Sequence, residues 1–100
     1  MLLHGGDIFA RPVIGPLGTF PEGGRNWESF GPDPYLSGEF AAAHVKGIQD
    51  QGIIATAKHY IANEQEHFRF VTEALQNGFD ITESISANVD DRTMHEVYLW

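Results

Sequence analysis

No cysteine occurs in the 100 residues, so no disulfide can form and no thiol nucleophile is present. Basic side chains are scarce: six Lys and Arg stand against fourteen Asp and Glu, for a formal charge of −8. The acidic excess runs through both halves of the chain. That disfavours nucleic acid as a partner, because neutralising phosphates needs clustered Lys and Arg, and it disfavours an anionic membrane surface for the same reason. No apolar run approaches the roughly 18 residues that span a bilayer. Met1-Leu2-Leu3 gives way at once to His4-Gly5-Gly6-Asp7, which leaves no core for a signal peptide. Asn-x-Ser/Thr, His-Glu-x-x-His, a Gly-x-Ser-x-Gly elbow and a phosphate loop are all absent.

The chain does have enough apolar residues to fold. Its hydrophobic share of 42% is ordinary for a globular protein and argues against wholesale disorder. At 100 residues it fits at most one small domain. Ile8 to Ile14 reads as a short buried strand, weakened by Pro12, which lacks a ladder donor. Residues 16–34, rich in glycine and proline, read as one long loop. Trp27 and Phe30 within it need something to pack on. Asp33-Pro34 is a helix start, with the aspartate as N-cap and proline at the first helical position. Leu36, Phe40, Ala43, Gly47 and Ile48 then follow helical spacing as an apolar face. Gly38 and Gly47 are candidate points of close approach, and Gly52 is placed to end the helix in the left-handed region.

Ile53 to Ala57 reads as a second buried strand, completing strand, helix and parallel strand in the order a βαβ unit requires. Residues 61–89 are polar and mixed, with a turn at Asn77-Gly78. Asp90 or Asp91 caps a last helix whose apolar face, Met94, Val97 and Leu99, is incomplete. The pattern reaches Trp100 without a stop signal, as expected of a segment of a longer chain.

Three groups of residues could carry chemistry. Lys58-His59 lies just past the second strand, where α/β folds place ligands. An ammonium and an imidazole suit a ligand with many hydroxyls, although a solvated strand end would look the same. Gly23-Gly24-Arg25-Asn26-Trp27-Glu28 offers a sharp turn, a forked donor, a flat apolar face and a carboxylate able to hold the arginine. An ordinary glycine turn with a surface ion pair and a buried tryptophan fits equally. Glu64 and His67 stand at the i, i+3 spacing of di-metal carboxylate bundles, but no second copy of that motif occurs. A helix cap accounts for Asp90-Asp91 better than acid/base work does.

Taken together, the order of Gly15-Pro16-Leu17-Gly18, Pro21 to Phe30, Asp33-Pro34-Tyr35-Leu36, Gly47 to Ala55 and Ala57 to Arg69 resembles glycoside hydrolase family 3, and within it the fungal-type β-glucosidases. The resemblance covers about residues 13–70. It implies an α/β architecture: a partial (β/α)8, TIM-type barrel, seen here as a βαβ slice with long loops, and the whole of 1–100 as a fragment of the family's N-terminal domain. It departs at the first dozen residues and at Thr19.

The activity implied is retaining hydrolysis of terminal non-reducing β-D-glucosyl residues, as in cellobiose and other products of cellulose breakdown. Arg25, Lys58 and His59 inherit the role of binding glucose hydroxyls, and the three are expected to converge on one pyranose-shaped cavity. The family's Lys-His pair is accompanied by non-proline cis peptides. Its nucleophile is an aspartate in a Ser-Asp-Trp-like motif, and no such motif occurs before Trp100; the acid/base glutamate belongs to a later domain. No residue here therefore inherits a catalytic role, and the chain alone is expected to be inactive. The expected partners are a β-glucoside or oligosaccharide and the rest of an enzyme chain, with no cofactor, no metal ion, no nucleic acid and no membrane. Secretion is implied by the family. A non-catalytic sugar-binding module and, less readily, a di-metal carboxylate protein are the alternatives.

Overall fold

The computed structural model describes residues 7–81 and 85–100. The start of the chain, residues 1–6, lies outside the described residues. The first strands and α-helices along the chain are strand β1, Ile8–Phe9; helix α1, Pro34–Gln49; strand β2, Ile54–Ala55; and helix α2, Val71–Gln76. A short helix α3, Asp91–Thr93, continues directly into a π-helical turn, Met94–Tyr98.

β1 and β2 pair in parallel, with Ile8 opposite Ile54 and Phe9 opposite Ala55. Strand, helix and parallel strand thus form the βαβ unit that the sequence pattern predicts. Both strands are shorter than expected. Pro12 has no N–H to offer, and the ladder breaks at Arg11-Pro12. It resumes where Lys58 N–H donates to the Pro12 carbonyl at 2.9 Å and Ile14 N–H to the Lys58 carbonyl at 2.7 Å. Val13 is bridged on one side to Lys58 and on the other to Ser29. The expectation of two buried strands is corrected on a second count as well. Ile53 is buried, but Ile8 and Ile54 stand well exposed.

α1 begins as its sequence requires. The Asp33 carboxylate accepts from Leu36 N–H at 3.0 Å, and Pro34 occupies the first turn, where its missing donor costs nothing. Gly52 ends the turn after the helix at φ +72°, a conformation that L residues with side chains rarely adopt. Of the predicted apolar face only Ile48 is buried; Ala43 and Gly47 are exposed. Ser37 and Ile48 are buried, while Leu36 and Phe40 are exposed. Ser37 is tolerated inside because its hydroxyl donates to the Gly31 carbonyl at 3.2 Å. Gly38 does lie against another segment, 3.5 Å from the Trp100 ring for an added Cβ, but Gly47 faces open space.

Residues 16–34 are not structureless. They contain two 3-10 turns, Pro21–Gly23 and Asn26–Glu28, and the bridge at Ser29. Phe30 stacks on Phe40 with centroids 5.4 Å apart, so α1 supplies the packing partner that this aromatic needs. Trp27 finds none and is 77% exposed, against the alternative of a buried tryptophan. α2 falls in the stretch read as irregular, and Gly78 follows it in the predicted turn at φ +84°. Asp90 is the cap of the last helix, accepting from Thr93 N–H at 3.0 Å. That helix loosens into its π turn at Met94 instead of running on as an α-helix to Trp100.

Among the described residues the apolar core is small: Pro12, Val13, Pro16, Leu17, Ile48, Ile53 and Ala74. Large apolar side chains on several elements, among them Ile8, Tyr35, Leu36, Phe40, Ile54, Tyr60 and Phe70, remain exposed. Apolar surface on this scale drives association. The 100-residue chain expressed by itself should bind a hydrophobic dye and self-associate with rising concentration. A dye-silent monomer in sedimentation velocity would contradict this.

Candidate functional site

The site is assembled around Val13. The loop carrying Arg25 and Glu28 arrives on one side through Ser29, and Lys58-His59 arrives on the other at the end of the β2 ladder. The second 3-10 turn closes the i, i+3 distance between Arg25 and Glu28. Arg25 Nε donates to Glu28 Oε1 at 2.6 Å and Nη2 to Oε2 at 2.7 Å, a two-point clamp. Both side chains are largely buried, so the pair is screened less than a surface ion pair. The expectation that Glu28 holds Arg25 matches this geometry.

Two backbone features fix the clamp. Gly24 sits at φ +80° at the end of the first turn. Gly23 lies so close to the later segment that a Cβ would come within 2.7 Å of the Glu64 carbonyl oxygen. Asn26 anchors the same loop, its amide donating to the Phe20 and Pro21 carbonyls at 3.0 and 3.2 Å.

Across this contact Arg25 Nη1 reaches Glu66 Oε1 at 3.3 Å, and Arg69 Nε holds the other Glu66 oxygen at 2.6 Å. Arg25 Nη2 also lies 3.1 Å from His59 Nε2. An arginine nitrogen can only donate, so Nε2 of His59 carries the lone pair and the proton sits on Nδ1. Burial, then the Lys58 and Arg25 charges, push the His59 pKa below its usual value, outweighing the opposite pull of Glu28 and Glu66. Arg25 is held firmly charged, chiefly by its hydrogen bonds to Glu28. The Glu28 carboxyl is lowered, first by the Arg25 hydrogen bond and, among smaller influences, by the charges of Lys58 and Arg11. The Lys58–His59 and Tyr60–Ile61 peptide bonds are cis, as the resemblance implies for this neighbourhood.

Arg25 and His59 therefore touch, and Lys58 is the next residue along the chain. The cavity that Lys58 and His59 line does not include Arg25. A cavity of about 270 Å³ is bounded by Lys58, His59, Tyr60 and Ile61, by Pro34, Gly38 and Ala41 of α1, and by Val97, Tyr98 and Trp100. Arg25 is not among its walls, because its guanidinium is turned towards Glu28 and Glu66.

Glu64 and His67 do not face each other across a metal. The Glu64 carboxylate accepts the Tyr98 hydroxyl at 2.6 Å, and His67 packs edge-on against Phe68. Burial and then the bond to Glu64 raise the Tyr98 pKa far above its usual value. Among the described residues no group of three or more His, Asp or Glu is arranged to hold a metal ion. Glu66, Arg69 and Tyr98 were not singled out from sequence. The i, i+3 spacing of Glu66 and Arg69 was a usable signal, whereas Tyr98 and Glu64 are 34 residues apart and gave none.

Comparison with known proteins identifies the surroundings of this cluster. Residues 5–84 match the model described as the glycosyl hydrolase family 3 N terminal domain. A probable β-glucosidase A of Aspergillus niger is 66% identical over 96 residues, which is 96% of this chain and 11% of that protein. A probable β-glucosidase A of Emericella nidulans is 64% identical over 94 residues, again 11% of its length. The structure of a family 3 β-glucosidase from Neurospora crassa superposes with a TM-score of 0.84 at 57% identity, covering 93% of this chain and 11% of that one. The chain thus spans about a ninth of the length of these relatives.

The charges give a signed pH dependence. His59, with its pKa depressed, binds fewer protons folded than unfolded, so its contribution to stability is complete above about pH 6.5 and shrinks as pH falls below it. Glu28 contributes above the ordinary carboxylate value of 4.5, and its contribution is lost as pH falls through its lowered pKa. Carbethoxylation of His59 in the full-length protein, followed by peptide mass spectrometry, should show a reaction midpoint below pH 6.5. A midpoint above it would refute the lowered pKa of this ring.

Proposed function

Since this chain belongs to glycosyl hydrolase family 3, its N-terminal domain model spanning residues 5–84, we propose that it forms part of the glucose-binding wall of a β-glucosidase. The observation that carries the reading is the contact between Arg25 and His59 at 3.1 Å, with Lys58 adjacent. What this cluster still has to offer a ligand is donors: an N–H on Arg25 Nη1, the Nδ1–H of His59 and the Lys58 ammonium. Sugar hydroxyl oxygens accept such bonds, and their desolvation on binding makes fixed donors necessary. Glu28 and Glu66 offset most of the positive charge, which suits a neutral ligand.

Retaining hydrolysis needs a nucleophilic carboxylate and a separate acid/base carboxyl. Glu28 and Glu66 are occupied by arginines and serve as holders. On this reading the reacting carboxyl groups come from other parts of the enzyme, and the βαβ unit is one slice of a (β/α)8 barrel with its site at the C-terminal ends of the strands. The substrates are terminal β-D-glucosides such as cellobiose, and the enzyme is secreted.

The test is to sequence the transcript beyond Trp100, express the full-length product and assay hydrolysis of an aryl β-glucoside. Arg25→Ala and Lys58→Ala should each lower kcat/KM by roughly tenfold to a hundredfold, the loss expected for a charge-assisted hydrogen bond to substrate. A product that cleaves no β-glucoside, or variants as active as the parent, would sink the proposal. Glucose binding without hydrolysis would point instead to a non-catalytic sugar-binding module.

A further inference from the structure

We propose that Glu66 is a positioning residue: it fixes the Arg25 guanidinium so that Arg25 donates into His59 Nε2 and the imidazole keeps its Nδ1–H for a ligand oxygen. The inference rests on the sugar-site reading above and extends it to a residue outside the inherited set.

The argument starts from the five N–H groups of an arginine. Nε and one hydrogen of Nη2 are taken by the two oxygens of Glu28, and the other Nη2 hydrogen points to His59 Nε2. On Nη1, one hydrogen goes to Glu66 Oε1 and one remains. Glu28 alone grips a single edge of the guanidinium and leaves it a hinge about that edge. Glu66 supplies a grip away from that edge.

Glu66 is itself fixed. Arg69 holds its second oxygen at 2.6 Å, and its side chain is only 15% exposed. It also lies seven residues after His59, on the segment that Gly23 touches at Glu64. One carboxylate therefore ties the arginine loop to the segment that carries the Lys-His pair.

The same arrangement sets the charge facing the imidazole. Lys58 and Arg25 disfavour its protonation, and Glu28 and Glu66 favour it. Glu66 thus acts on His59 in two ways, by orienting its hydrogen-bond donor and by contributing one of the two negative charges in its field. A residue that only stabilised the fold would do neither.

The experiment uses the full-length protein and reads inhibition by glucose, β-glucoside kinetics and the pH midpoint of His59 carbethoxylation. Glu66→Ala should weaken glucose inhibition about tenfold, the effect of losing one charge-assisted hydrogen bond, with KM rising more than kcat falls. Glu66→Gln keeps an acceptor for Arg25 but removes the negative charge. It should recover part of the affinity while moving the His59 midpoint to lower pH. If the unsubstituted protein neither binds glucose nor cleaves a β-glucoside, the sugar-site reading fails. If it does so, and both variants match it in glucose inhibition and in the His59 midpoint, the positioning role alone is overturned.

Discussion

Val13 is the rung on which the site hangs. It is buried, and its backbone is bridged in parallel to Ser29 on one side and to Lys58 on the other. Each bridge fixes the start or end of a functional stretch. Ser29 immediately follows the turn that closes Arg25 onto Glu28, and Lys58 immediately precedes His59. Arg25 and His59 are 34 residues apart in sequence, yet they meet at 3.1 Å because both stretches are tied to one valine. Side chains on paired backbone are placed more accurately than side chains on free loops, which is what a ligand with many hydroxyls demands.

The electrostatic arrangement builds on that frame. Two carboxylates and two arginines alternate through the site, Glu28 to Arg25 to Glu66 to Arg69. In a partly buried setting, an arginine without such partners would be costly, and so would either carboxylate. Together they satisfy one another and leave few donors over. Those donors, with the neutral ring of His59 and the ammonium of Lys58, define what the surface can recognise. Glu28 and Glu66 hold the arginine, and on the proposed reading they decide where its remaining donor points.

Much of this was legible in the sequence, and the rest was hidden for physical reasons. Asp33-Pro34 and Gly52 bound α1 because caps and left-handed glycines are local devices that need only neighbouring residues. The Arg25–Glu28 clamp could be anticipated because it spans one turn. The strands were overestimated because a run of Ile, Val and Ala reports propensity, whereas ladder length depends on the partner, and Pro12 interrupts it. The buried face of α1 was misassigned because periodicity finds an apolar stripe without saying which stripe meets the sheet; Ser37 goes inside only because the Gly31 carbonyl is there to receive its hydroxyl. α2 was missed because six residues with no side-chain cap give too little pattern. Glu64 with Tyr98, and Glu66 with Arg25, are long-range pairs, which no single-sequence pattern encodes.

The exposed apolar stripe of α1 and the open faces of the two strands bear on the same question as the site. Leu36 and Phe40 of α1 keep much of their apolar surface exposed, although Phe40 already stacks on Phe30, and so can pack on a further neighbour. A strand pair with Ile8 and Ile54 exposed is likewise equipped for contact beyond the described residues. In a (β/α)8 barrel each helix packs on its strand and on adjacent helices, and each strand has a neighbour on both sides. The chain spans 11% of the relatives it matches, and on the proposed reading the rest of a barrel would cover these faces. The site itself depends less on those contacts: Val13, Leu17 and the Arg25–Glu28–Glu66 network are buried or satisfied within this chain. Local pairing fixes Arg25, Lys58 and His59; on the proposed reading, a surrounding barrel closes the cavity around them and supplies the reacting carboxylates.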